Sequence, residues 1–236
     1  MKGGDKMKKL ILLMLLLPIS LIGCTDEESS VTVGHTTVYY TNVPDAKAEV
    51  LAGYLQEEFG FTSDTDILLS MSGNEYEVRI PSSYSSPSEV EESFKVYFAL
   101  LASRVSEEVF FGSPVKLVLV THQNDELFAV KNQYSFEKAG RVFVYFKGVD
   151  REQAFNLANY LESLVGENYD WDVIFEQSEG VYHVVPFVGI NDASELTPEM
   201  ENSYQSMATE LEDVLGGDVV VHLVNFEGYE VAAFEG

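Results

Sequence analysis

Val38-Tyr-Tyr-Thr-Asn-Val43 and, 106 residues further on, Val144-Tyr-Phe-Lys-Gly-Val149 open the two stretches that decide the fold. Ala48, Leu51, Ala52, Tyr54 and Leu55 are answered at the same spacing by Ala154, Leu157, Ala158, Tyr160 and Leu161. Eight of the 18 positions from Val38 to Leu55 are identical in that single register, the signature of an internal duplication. Tyr76-Glu-Val78 meets Tyr182-His-Val184, and Leu117-Val-Leu-Val120 meets Val221-His-Leu-Val224. Two α/β repeats are expected, over residues 31–137 and 138–236.

Each repeat has the same order of elements. Thr36 to Thr41 is rich in Val and Tyr and predicts a strand. From Asp45, the apolar residues Ala48, Leu51, Ala52, Leu55 and Phe59 recur every three or four positions and predict a helix with one buried stripe. Two strands then flank Ser72-Gly-Asn-Glu75, a hairpin signal. Ser86-Pro-Ser-Glu89 predicts a capped second helix, and Thr197-Pro-Glu199 is its expected counterpart after an insertion around Gly189 to Ala193. A strand from Val115 and a shorter one from Leu127 close the repeat. The fold class expected is α+β: a tandem duplication of a ferredoxin-like βαββαβ(β) unit. Two right-handed crossovers would lay both helices on one face of an antiparallel sheet. The other sheet face would be left for a partner or for the second repeat.

The amino terminus gives an address. Four lysines and one aspartate lie in the first nine residues, and an apolar run follows from Leu10 to Gly23. That combination reads as a secretory signal peptide over residues 1–23, too short to span a bilayer comfortably. Leu21-Ile-Gly-Cys24 resembles the bacterial lipobox, which implies lipidation of Cys24 after cleavage and a flexible tether over residues 24–30. Cys24 is the only cysteine, so no intramolecular disulfide can form. The expected location is the cell envelope, lipid-anchored to a bacterial membrane and facing the periplasm or the exterior.

From Cys24 onward, 10 Lys and Arg face 38 Asp and Glu, a formal charge of −28. Such a field repels nucleic acid phosphates and excludes nucleic acid as a partner. It suits cations or basic proteins, although a solvated acidic face or adaptation to a salty habitat produces the same composition.

Chemistry is sparsely signalled. No nucleophile elbow, phosphate loop or dinucleotide fingerprint occurs in the sequence. His35, His122, His183 and His222 have no metal-ligand spacing and read as ordinary strand or strand-end residues. Asp64-Thr-Asp66 and Asp170-Trp-Asp172 recur at the repeat spacing and are the candidate calcium ligands, though two carboxylates are only a fragment of such a site. Trp171 is a candidate partner contact, with core packing the plainer reading. No catalytic residue and no cofactor other than calcium is expected. Three functions follow. The first is a non-enzymatic module binding an envelope protein or ligand; the others are a cation-dependent adhesion or structural module and a hydrolase assembled from distant loops.

Overall fold

Alternating burial along Thr36–Thr41 and a single buried stripe on Asp45–Phe59 produce the first strand–helix step the sequence predicts. The protein is described by a computed structural model covering residues 29–165 and 170–236. It divides after Gln133 into two units, each with its own buried apolar cluster. The expected signal peptide over residues 1–23 and Cys24 lie outside the described residues.

The first unit contains β1 (Ser29–Val33), β2 (Thr36–Thr41), α1 (Asp45–Phe59), β3 (Thr65–Ser72) and β4 (Glu75–Pro81). After a 3-10 turn at Pro87–Glu89 come α2 (Glu92–Glu108), β5 (Val115–Val120) and β6 (Glu126–Lys131). The second unit repeats this as β7 (Ser135–Ala139), β8 (Val142–Lys147), α3 (Arg151–Leu164), β9 (Trp171–Ser178) and β10 (Val181–Val188). A 3-10 turn at Ala193–Glu195 then leads to α4 (Pro198–Leu215), β11 (Val219–Asn225) and β12 (Glu230–Glu235). These are two tandem βαββαβ(β) units, the duplicated α+β fold with ferredoxin-like element order.

Four details differ from the sequence reading. First, β1 and β7 were not expected as strands. Ser29 and Ser30, assigned to the tether, pair with Tyr40 and Tyr39. β7 crosses the expected boundary at 137/138, because Ser135 to Ala139 pairs with β8 and belongs wholly to the second unit. Both are short, polar edge strands, whose alternation is weak because little of them is buried.

Second, the sheets are mixed, not antiparallel. The strands lie in chain order within each six-stranded sheet. Pairing is parallel across each helical crossover, β2 with β3, β4 with β5, β8 with β9 and β10 with β11, and antiparallel across the hairpins. Third, the two crossovers of a unit cannot both be right-handed. The helices share one face, since Tyr97 and Arg104 of α2 hydrogen-bond Glu58 of α1, and Tyr160 of α3 bonds Glu210 of α4. Strand direction reverses between the two crossovers while the sheet advances the same way. One crossover in each unit is therefore left-handed, against a strong general preference.

Fourth, α2 starts at Glu92, not at Pro87. Ser86 caps no helix with its side chain; Glu89 Oε2 instead accepts from Ser85 N at 2.8 Å. The 3-10 turns at Pro87 and Ala193 and the helices starting at Glu92 and Pro198 all keep the 106-residue spacing, so no insertion separates them. Thr197 does cap α4, accepting from Met200 N at 3.3 Å. The register slips by two residues only between helix and strand, so that Val115 matches Val219.

Both cores lie between the helices and one sheet face. Val38, Ile67, Val78 and Leu117 meet Leu51, Leu55, Leu101 and Val105 in the first unit. Val144, Val173, Val184 and Val221 meet Leu157, Leu161, Ala208 and Leu211 in the second. Intervening strand residues project to the opposite, outer face of each sheet, which carries polar side chains as well as the buried Val118 and Tyr145.

Candidate functional site

On the outer face of the second sheet, four side chains form one hydrogen-bonded row. Ser178, the last residue of β9, places Oγ 2.8 Å from His183 Nε2 on β10. His183 Nδ1 lies 3.0 Å from His222 Nε2 on β11. His222 Nδ1 lies 2.8 Å from Glu230 Oε2 at the start of β12. Local sequence explains each placement. Tyr182 and Val184 point into the core, as do Val221 and Leu223, so the histidines between them must face outward. Glu179 and Gly180 both have positive φ, 53° and 88°, the two-residue hairpin loop that returns β10 beside β9 and sets Ser178 near His183.

The protonation of one end of the row follows from donor arithmetic. An ionised carboxylate only accepts, so His222 Nδ1 carries the proton given to Glu230. In neutral His222, Nε2 is then a bare lone pair directed at His183. The His222 side chain is 24% exposed and Glu230 57%, so solvent reaches the row.

The first sheet carries an ionic row in the corresponding place. Glu77 on β4 accepts from Lys116 Nζ on β5 at 3.1 Å and from Arg79 at 3.1 Å. Lys116 also approaches Glu126 of β6 at 3.6 Å. Burial alone would raise the Glu77 carboxyl, but the hydrogen bonds and charges of Lys116 and Arg79 outweigh it and hold the group below its ordinary 4.5. Arg79 further donates from Nε and Nη2 to the side chain and backbone of Asn124, both at 2.8 Å. Asp66, Arg79, His122 and Asn124 line a shallow, open depression beside this row. Asp66 is pushed above the ordinary carboxylate value by burial and by its neighbour Asp64.

The recurring aspartates have a structural explanation. His35 and Arg141 follow glycines in the β1–β2 and β7–β8 turns, 106 residues apart. His35 Nδ1 pairs with Asp64 at 3.1 Å, and Arg141 Nε with Asp170 at 3.0 Å. The backbone N–H of His35 and of Arg141 donates to the end of the following helix, to Gln56 Oε1 at 2.8 Å and to Glu162 Oε2 at 2.9 Å. Asp64 and Asp170 thus clamp an edge hairpin to the start of the next strand. Asp172 accepts from Tyr145 Oη at 2.7 Å. Among the described residues, no group of three or more His, Cys, Asp or Glu side chains is placed to hold a metal ion, so the calcium candidates acquire no further ligand of those types there. Trp171 opens β9, half-buried against the second core, with its backbone N–H donating to Arg141 O at 2.8 Å.

The sequence reading left His35 unpaired and treated His183 and His222 as isolated. Thirty-nine residues separate the last two, and only the parallel register of β10 and β11 unites them. Single-strand patterns contain no information about lateral neighbours.

Residues 30–132 match a family model, AF_1994_N, described as a family N-terminal domain. The match runs from β1 through β6 and ends before β7. No solved structure matches the chain.

Proposed function

We propose that this chain is an exported lipoprotein, tethered to a membrane surface through Cys24, whose two α/β units present their outer sheet faces to an envelope protein or ligand. The observation carrying the binding reading is the pair of polar rows. The first spans three strands and the second four, both on the face opposite the helices, and each leaves charged or hydrogen-bonding groups accessible to solvent. Polar rows of this kind suit a recognition surface, where buried donors and acceptors set specificity. The address rests on the basic start, apolar run and lipobox-like Leu21-Ile-Gly-Cys24. Among the described residues no helix is long and apolar enough to cross a membrane.

The anchor is tested by membrane fractionation and intact mass of wild type and Cys24→Ser. Wild type should sediment with membranes and carry added lipid mass, and the variant should lose both. A wild-type chain without lipid mass refutes the anchor. The recognition surface is tested by pull-down with Lys116→Glu and His222→Glu, which should reduce capture of a partner that wild type retains. Unchanged capture by both variants contradicts it.

The order Ser178, His183, His222, Glu230 supports a second reading, a serine made nucleophilic by a histidine that a further hydrogen bond orients. It requires the His183 proton on Nδ1 and the Nε2 lone pair toward Ser178. Covalent labelling by a fluorophosphonate, absent in Ser178→Ala, would establish it; no labelling of wild type would remove it.

A further inference from the structure

Two imidazole nitrogens from neighbouring strands, His183 Nδ1 and His222 Nε2, face each other at 3.0 Å, with an oxygen behind each ring. Glu230 fixes His222 with its proton on Nδ1, leaving Nε2 as a lone pair. Ser178 Oγ can donate or accept, so His183 is free to carry its proton on Nε2 and turn the Nδ1 lone pair toward His222. In that tautomer two lone pairs share one small space, which a bound cation would satisfy; with the His183 proton on Nδ1 the two rings are instead joined by a hydrogen bond.

We propose that His183 and His222 form a two-imidazole site for a divalent transition metal of the copper, nickel and zinc class. The separation is suitable. Two nitrogens about 2.0–2.1 Å from zinc at a tetrahedral angle lie roughly 3.3 Å apart. At a cis angle of a square-planar copper or nickel centre they lie roughly 2.9 Å apart. The observed 3.0 Å falls between these limits. The ring planes are inclined by 35° with centroids 5.2 Å apart, so the rings meet edge to edge. Directing both lone pairs at one ion needs side-chain rotation, with no change in strand pairing. Ala233, opposite His222 in the ladder, contributes only a methyl group to the space beside the ring.

The outer partners are those a metal-bound histidine uses. A carboxylate accepting the far N–H of the ring, as Glu230 does for His222, orients the imidazole and raises its basicity. The protein supplies two nitrogens; water or an incoming ligand completes the coordination, which makes the ion exchangeable. The acidic chain, at −25, also concentrates cations around itself. The corresponding outer-face positions of the first unit hold Glu77 and Val118, so the site belongs to the second unit. This proposal stands whether or not the chain is lipid-anchored, and it takes a softer ion than the calcium considered for the aspartates.

The test is Cu2+ titration of the full-length chain in detergent, followed by electron paramagnetic resonance, with Zn2+ calorimetry in parallel. One equivalent should bind with hyperfine coupling to two nitrogens. H183Q and H222Q should each abolish that signal while far-UV circular dichroism is retained, and H35Q should leave it intact. Glu230→Gln should weaken binding about 10–100-fold. Equal binding by wild type and the H183Q/H222Q double variant, or bound copper without two-nitrogen coupling, would overturn the site. Should either single variant lose its folded dichroism, Zn2+-induced shifts in the imidazole NMR signals of wild type decide. Shifts confined to His183 and His222 uphold the site, and shifts confined to His35 or His122 overturn it.

Discussion

At the scale of single residues, the two best-defined polar contacts within the folds make opposite demands. Arg104, 9% exposed, donates from both terminal nitrogens to Glu58, 14% exposed, at 3.1 and 3.2 Å, and Tyr97 Oη adds a third bond at 2.6 Å. Burial, followed by the Glu58 charge, holds the Tyr97 hydroxyl well above its ordinary value, so it remains a donor. Glu58→Ala deletes both of these charge-assisted bonds and the Tyr97 bond together, and should cost about 2–4 kcal/mol in urea unfolding. Asp66 works in the other direction. Its raised carboxyl means the folded state binds the proton more tightly than the unfolded chain, so ionisation at neutral pH is a burden. Asp66→Asn should therefore raise the midpoint at pH 7 and lose that advantage as pH falls through the carboxylate range. None of this was legible in the sequence, because Glu58 and Arg104 are 46 residues apart and look like two surface charges.

At the scale of elements, the hairpin clamps and the polar rows are separable. Gly140 has φ +52°, and a Cβ there would overlap the Glu162 carboxylate that receives the Arg141 N–H. Gly140→Ala should cost about 1–2 kcal/mol from the left-handed backbone alone. Loss of amide protection should be concentrated in β7, measured by hydrogen exchange. In the first sheet, Glu77 has a lowered folded value, so its contribution is complete above its unfolded value near 4.5. It disappears as pH falls through the lower folded value. The gap in urea midpoint between wild type and Glu77→Gln should be steady from pH 7 to about 5 and should close below it. A gap that widens on acidification would reverse the sign of the argument.

Most of the elements were readable because their periodicity reports burial. Val142–Lys147 and Pro198–Leu215 have the bounds that alternation and the Thr197 cap imply. β1 and β7 escaped because an edge strand of Ser, Thr, Glu and Lys buries little. The mixed sheet escaped for a different reason: strand order fixes which elements exist, but lateral neighbours depend on packing between distant segments. The same limit hid the histidine pair.

At the scale of the molecule, the duplication has diverged in chemistry while retaining its frame. The first unit uses fixed charges, Glu77, Lys116 and Glu126, where the second uses Ser178, His183, His222 and Glu230. Each unit has its own buried cluster, so residues 29–133 and 134–236 produced separately should each unfold cooperatively. A unit that gives no sigmoidal urea transition by circular dichroism would show that its core is insufficient alone.

The central claim is that the outer sheet faces recognise a partner at the membrane surface. In-cell cross-linking of the full-length chain, read by mass spectrometry of the captured species, tests it most directly. The account predicts one reproducible envelope partner, with cross-links mapping to outer-face groups such as Lys116, Glu126 and Glu230. Cross-links confined to α1–α4, or no reproducible partner while a known envelope complex is captured from the same cells, would contradict it.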